Sequence, residues 1–526
     1  MKRILLSLFA LLSLTAFAQD DFVRRGNCLS VGEADSVIGA RAETPRRLPV
    51  INRDWNPNRV YRQAVILITF SDKDFVSENP QDTYNRIFNE RGYNERAGVG
   101  CVADYFRDQS GGLFNMQFDV YGPYQVSTKA QPYDNPTEST HNYGKSVLQE
   151  ATNLWIAANP TLDYSQYSWN GNGKINQVVY VCAGYSGNQS SEKCYGYVWP
   201  NTSTFSTVMA PDGTTISDYT VSCELWSNDT SCGIGTICHE FTHSLGLPDI
   251  YPTNNNGYYS ALDEWDLMDG GNFTNFGWCP PNWSPMEKML LGWLTPTELT
   301  EPATIKDLKP VADGGQVYQI KHTATEYLLL ENRQWRGWDA GLPGKGLVAY
   351  HVNYVESKWR GNTVNNTAGQ FCFDLVHADQ LDYNDWNNLM IDRGLRSQYL
   401  ESGRMHNLHL STSPYPWSTD STAVTNNKLT DTSVPAAKMY TTNAAGSNLL
   451  GKPLTNITMS ADGLVSFDFM GGEGTVGIVS AMPSQSAAQV YDLQGRRVSA
   501  SHNIHEIVIV RQADGTVRKV HRHPQR

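Results

Sequence analysis

HEFTHSLGLPD, residues 239–249, sets two histidines four positions apart around a glutamate and then passes through a glycine to an aspartate. Residues four apart share one face of an α-helix, so His239 and His243 can present both imidazoles to one ion, with Glu240 beside it and within reach of a bound water. By itself the short pattern describes an exposed polar helix face equally well. Gly246 separates the two readings, because a glycine can take the left-handed conformation that ends a helix and reverses the chain, returning Asp249 to the same ion as a third ligand. Three protein ligands leave zinc a fourth position for water, the arrangement of a catalytic rather than a closed structural site. Downstream, WDLMDGG places Met268 in a tight glycine-rich turn.

Working outward, the aliphatic run Ala64–Phe70 in RQAVILITFSD reads as a first buried strand. CVADYFRDQSGG reads as a helix ending at Gly111-Gly112, followed by a strand over 114–120; THNYGKSVLQEATNLWIAAN is an amphipathic helix, and QVVYVCAGY, 177–185, another strand. Alternating strands and helices imply an α/β unit. From about residue 300 the texture changes to short β-like runs (EYLLLENRQW, GLVAYHVNY, FCFDLVHA, GLVSFDFMGG) between Gly, Pro, Asn and Asp clusters, the pattern of a β-sandwich or related all-β domain. No repeat with a period of about 20 to 50 residues is found.

At 526 residues the chain has room for two or three folded units. With 40% hydrophobic and 18% charged residues it is a folded protein, and its net charge of -12 opposes nucleic acid and anionic membranes as partners. The first 18 residues carry Lys2 and Arg3, an apolar run and the small-x-small step Ala16-Phe17-Ala18 of a signal peptide, which predicts a secreted, extracellular or cell-surface product. That run is shorter than the roughly 18 residues a membrane span needs, so no span is expected. Nine cysteines in an exported chain can form disulfides; the count is odd, and cleavage within RAETPRRLP would remove Cys28 and leave an even set.

The helix with its glycine turn and the later methionine turn resemble the metzincin metallopeptidases. More narrowly, GIGTICHEFTHSLGLPDIY with WDLMDGG resembles the immune inhibitor A-like family of secreted bacterial zinc peptidases, and further segments resemble that family in the same order over roughly residues 60–470. The resemblance implies His239, His243 and Asp249 as ligands of one catalytic Zn2+ and Glu240 as the base that takes a proton from water and passes it to the leaving amine. Met268 would form the floor of the site without binding metal. Glu264 in LDEWD is a rival third ligand, since another zinc-peptidase class uses a glutamate about that far downstream; the Gly246 turn favours Asp249. The implied fold class is an α/β (α+β) metzincin-like domain followed by an all-β, sandwich-like domain and a small β tail. The expected division is signal peptide 1–18, pro-segment 19–58, catalytic domain 59–298, β-rich domain 299–471 and tail 472–526. The partners that the resemblance implies are protein or peptide substrates.

Weaker signals complete the reading. YSWNGNGKINQ, 167–177, has the rhythm of a Ca2+ loop, but Asn170, Asn172 and Asn176 stand where aspartates would make a strong site, so a glycine-rich turn is the preferred reading. Cys28 is a candidate latency ligand whose thiolate would cap zinc in a zymogen, against the plainer alternatives of a disulfide partner or a spare thiol. His351 and His377 are assigned no role. VYDLQGRRV and IVIVRQADGTVRKV resemble the sorting tails of the type IX secretion system, which would make secretion machinery a partner, although HNIHEIVIV lacks the usual Gly-aromatic step and HRHPQR is extra. A different class of function is a secreted adhesion or glycan-binding protein on an inactive peptidase scaffold, with Trp335, Trp338 and Trp359 as its working surface.

Overall fold

The computed structural model describes residues 48–472 without 138, 190, 255–259, 382–385, 387, 390–391, 394–408 and 419–424, together with the backbone of four short strands between 489 and 521. The expected signal peptide, the pro-segment up to residue 47 and Cys28 lie outside the described residues.

Five strands, β1 (Val60–Thr69), β2 (Asn115–Gln125), β3 (Val178–Tyr185), β4 (Asn201–Met209) and β5 (Thr215–Leu225), form one sheet in the order β2-β1-β3-β5-β4. All neighbours are parallel except β4, which runs antiparallel to β5. The unbroken apolar run of β1 follows from burial on both faces, as parallel strands require. Val65 and Leu67 join Val179 and Val181 on one side, while Ala64, Ile66 and Ile68 join Val178 and Tyr180 on the other.

Helices cover both faces. α1 (Pro80–Asn89), α2 (Val102–Gln109) and α4 (Gly235–His243) pack on the first face, and α3 (Lys145–Ala158) packs Val147, Leu148, Ala151 and Trp155 on the second. A short α5 (Pro285–Leu290) opens with a capping box in which Ser284 and Glu287 satisfy each other's backbone N–H groups. This layered α/β arrangement fits a peptidase domain. No expectation covered the β4–β5 hairpin: its Thr- and Ser-rich strands look like loop, yet β5 is buried along almost its whole length.

In the second half the strands are β6 (Thr297–Glu298), β7 (Ala303–Leu308), β8 (Tyr318–Lys321), β9 (Glu326–Arg333), β10 (Gly346–Asn353) and β11 (Phe373–Leu375), and all but β7 form a five-stranded sheet in the order β11-β10-β9-β8-β6. β7 pairs instead with Val465–Phe469, which in turn pairs with Leu454–Met459. The period of two along β9 divides its work. Leu328 and Leu330 enter the core shared with the three-stranded sheet, whereas Tyr327 and Leu329 enter the same core as Phe241 of α4. The second half therefore completes the hydrophobic core under the candidate site. In the tail, the strands at 489–491, 497–498, 507–511 and 517–521 pair antiparallel among themselves.

Two expectations are corrected. The eight cysteines among the described residues are all free and buried, so no disulfide links them. Cys182 and Cys223 do sit side by side on β3 and β5, but they fill the core as small apolar residues, and burial pushes the Cys194 thiol up to about 12 and that of Cys279 up to about 11. The proposed tryptophan surface also fails. Trp338 and Trp359 are buried, Trp338 against Tyr105 with its indole N–H donating to Asp108, and only Trp335 of the three is exposed.

Within the methionine turn, burial pushes the Asp266 carboxyl up to about 6; burial and the neighbouring Asp263 push that of Asp269 up to about 8. An unfolded aspartate titrates near about 3.9, so the folded state keeps protons that the unfolded state has released. This stability is fully present below about pH 4 and is lost as pH rises through 6 and 8. The thermal midpoint of the metal-free protein should therefore fall between pH 5 and 8, and Asp269→Asn should flatten that slope in thermal denaturation scans; an identical slope would contradict the assignment.

Candidate metal centre

The centre is built on α4. The helix starts where the chain can pass unusually close to a neighbouring loop: a Cβ on Gly235 would lie 2.1 Å from the Asn272 carbonyl oxygen, so only glycine fits. It ends at His243, and Gly246, with φ +100°, turns the chain back as its N–H donates to the His243 carbonyl. Holding a side chain at such a φ costs on the order of 1–3 kcal/mol. A Cβ there would also meet the Pro49 carbonyl oxygen at 2.7 Å.

The turn delivers Asp249 to the two histidines. Asp249 Oδ1 lies 3.1 Å from His239 Nε2 and 3.3 Å from His243 Nε2. Two ligands on a tetrahedral ion with bonds of about 2.0–2.1 Å stand about 3.3–3.4 Å apart, so these separations suit zinc. Each imidazole is oriented through its other nitrogen: His239 Nδ1 donates to the Leu267 carbonyl at 2.7 Å and His243 Nδ1 to the Leu247 carbonyl at 2.9 Å. Those bonds fix the tautomer that turns both Nε2 lone pairs inward, as in metal-binding histidines. His239, Glu240, His243 and Asp249 are fully buried, and Glu240 Oε1 and His243 Nε2 have no hydrogen-bond partner among the described residues. Orphaned polar atoms at such depth are costly unless something binds them, and a cation fits this donor set.

The electrostatics agree. Burial alone would raise the Asp249 carboxyl, but the His243 and His239 imidazoles outweigh it and hold Asp249 well below the usual carboxylate range. Burial would lower His243, and Asp249 outweighs it and pushes His243 up to about 9. A cation competes with that proton for the same lone pairs, so metal binding weakens in acid. Burial raises the Glu240 carboxyl, partly offset by His239 and His243. Thr202, on β4, shares its hydroxyl proton between the Glu240 carbonyl at 2.5 Å and Oε2 at 3.1 Å, anchoring that side chain.

Met268 is buried below, and its carbonyl accepts the Ile250 N–H at 2.7 Å, tying the methionine turn to the segment that carries Asp249. Glu264, half-buried on the 3-10 turn Asp263–Trp265, is not part of the converging group. In the suspected Ca2+ loop, Asn172 Oδ1 accepts from Lys174 N and Asn176 Oδ1 from Trp169 N, so these amides close the turn.

Among the described residues a second group converges, His377, Asp379 and His409. Its imidazoles are stacked with centroids 4.0 Å apart and planes 22° apart, His377 Nδ1 bonds to Ser413 Oγ, and Asp379 Oδ2 already accepts from His409 Nδ1 and Thr412 Oγ1. Two residues at the first site gave no sequence signal: Thr202 in a Thr-rich stretch, and Asn362, whose amide reaches Asp249 from 113 positions away inside an Asn- and Gly-rich turn.

A mixed sheet backed by helices thus carries two histidines and a glutamate on α4, and the segment after Gly246 returns Asp249 to them. Residues 190–290 match the model of the immune inhibitor A peptidase M6 catalytic domain. The chain is similar to Immune inhibitor A of Bacillus thuringiensis subsp. alesti, 23% identical over 311 residues covering 50% of this chain and 44% of the relative. It is also similar to the pre-pro-metalloprotease PrtV of Vibrio cholerae serotype O1 (strain M66-2), 22% identical over 273 residues covering 44% of this chain and 29% of the relative. The chain thus spans less than half the length of these curated relatives.

If Asp249 is the third ligand, Asp249→Ala will lower zinc affinity in chelator competition far more than Glu264→Ala, which should leave it near wild type. The reverse order would assign the position to Glu264.

Proposed function

We propose that the chain is a secreted zinc-dependent endopeptidase that hydrolyses peptide bonds of extracellular proteins. The observation that carries this reading is the convergence of His239 Nε2, His243 Nε2 and Asp249 Oδ1 beside Glu240, whose Oε1 has no hydrogen-bond partner among the described residues, in a segment that matches a peptidase catalytic domain. Bound by these three side chains, zinc supplies a Lewis acid that polarises a carbonyl and acidifies water. Glu240 takes the proton of the attacking water and hands it to the departing amine; its raised affinity for a proton, which burial causes, suits both halves of that transfer. Leu267 and Leu247, through their carbonyls, keep the imidazoles turned inward, and Thr202 holds Glu240 in place.

Export and latency belong to the same proposal. One relative is named a pre-pro-metalloprotease, which parallels a signal peptide at 1–18 and a pro-segment from 19 onward here. Cys28 as latency ligand and the tail 472–526 as a type IX-like sorting segment extend the reading. Among the described residues no helix is long and apolar enough to cross a membrane.

The test is zinc content and casein cleavage of the purified mature protein beside Glu240→Ala, with a chelator control. Wild type should cleave and lose activity to the chelator. Glu240→Ala should keep its zinc and lose roughly 10²–10⁴-fold in rate. A Glu240→Ala variant as fast as wild type would remove Glu240 as the base.

A further inference from the structure

Asp249 has two carboxylate oxygens, and the structure treats them differently. Oδ1 faces both histidines, whereas Oδ2 accepts a hydrogen bond from Asn362 Nδ2 at 2.8 Å. The other end of the same amide, Asn362 Oδ1, accepts the Asp249 backbone N–H at 2.7 Å. The two bonds close a ring around one residue and fix the orientation of the amide, since a flipped group would set donor against donor and acceptor against acceptor.

The holder is itself held. Asn362 is buried and has φ +55°, a conformation that asparagine tolerates better than most residues. Its carbonyl accepts from Thr253 Oγ1 at 2.8 Å. On the same loop, Asn365 Nδ2 donates to the Ile250 carbonyl at 2.9 Å, and Asn366 Oδ1 accepts the Thr253 N–H at 2.7 Å. Three asparagines of the second half thus grip the segment that runs on from Asp249.

We infer that Asn362 is a positioning residue that makes Asp249 a one-oxygen metal ligand, by engaging Oδ2 so that Oδ1 alone is turned to His239 and His243. The inference rests on the zinc-site reading above and adds to it that the centre depends on a loop of the second half of the chain. A carboxylate giving both oxygens to the ion would fill the position a catalytic zinc site keeps for water; a carboxylate free to rotate would bind more weakly.

The variant that isolates the amide is Asn362→Gly, because glycine accepts φ +55° without strain. Asn362→Asp is its partner: it keeps an acceptor for the Asp249 N–H and replaces the donor to Oδ2 with a second carboxylate. In the full-length protein, zinc affinity is measured by chelator competition, the coordination number by the visible spectrum after cobalt(II) substitution, and kcat and KM separately on a peptide.

Both variants should bind zinc roughly 10–100-fold more weakly than wild type, the usual effect of losing a residue that orients a metal ligand. The cobalt spectrum should change, and kcat should fall more than KM rises. Asn362→Gly with wild-type zinc affinity and cobalt spectrum would overturn the inference. If that variant does not fold, unchanged zinc affinity in Asn362→Asp would overturn it equally, and failure of both to fold would make Asn362 a structural residue instead. Wild type that takes up no zinc would overturn the metal-site reading itself, and this inference with it.

Discussion

Gly246 turns the chain at φ +100°, and the candidate centre depends on that reversal, because a helix alone can offer His239, Glu240 and His243 but no third ligand from the same face. The constraint is doubly enforced. The backbone conformation excludes ordinary side chains, and the Pro49 carbonyl sits where a Cβ would be. Residues 48–55 lie against this turn and are fastened further along, where Arg53 Nε and Trp55 Nε1 donate to the carbonyls of Leu290 and Leu291. The N-terminal part of the described chain is thus packed into the body of the domain and buttresses the turn.

A second constraint comes from the far half of the sequence. β9 and β10 place one face, including Tyr327, Leu329, Val348 and Tyr350, in the core that also receives Phe241 from the metal-site helix. The loop after them brings Asn362, Asn365 and Asn366 onto the residues that follow Gly246. The candidate site is therefore framed on one side by the α/β sheet and on the other by a sheet of the second half, for which the sequence predicts a separate β-rich domain.

What was legible in the sequence was what depends on short-range periodicity. The run Ala64–Phe70, the helix over 145–158 and the residues His239, Glu240, His243 and Asp249 could be picked out because spacing, turn chemistry and resemblance agreed. The β4–β5 hairpin escaped because a strand rich in Thr and Ser reads as loop until its neighbours bury it. Thr202 and Asn362 escaped for a related reason: each acts through one hydrogen-bonding group whose partner lies far away in sequence, and neither residue type is unusual where it stands. The cysteines misled in the other direction, since export makes disulfides chemically permissible, whereas pairing depends on three-dimensional placement. Trp338 and Trp359, offered as a binding surface, instead serve the core, where large aromatic rings bury the most area.

X-ray absorption spectroscopy of the zinc-loaded protein tests the central claim most directly, because it reports the ligands without reference to activity. The account predicts a four-coordinate ion with only nitrogen and oxygen neighbours at about 2.0–2.1 Å, two of them imidazoles. A sulfur shell at about 2.3 Å in the mature protein, or a spectrum without histidine scattering, would contradict it.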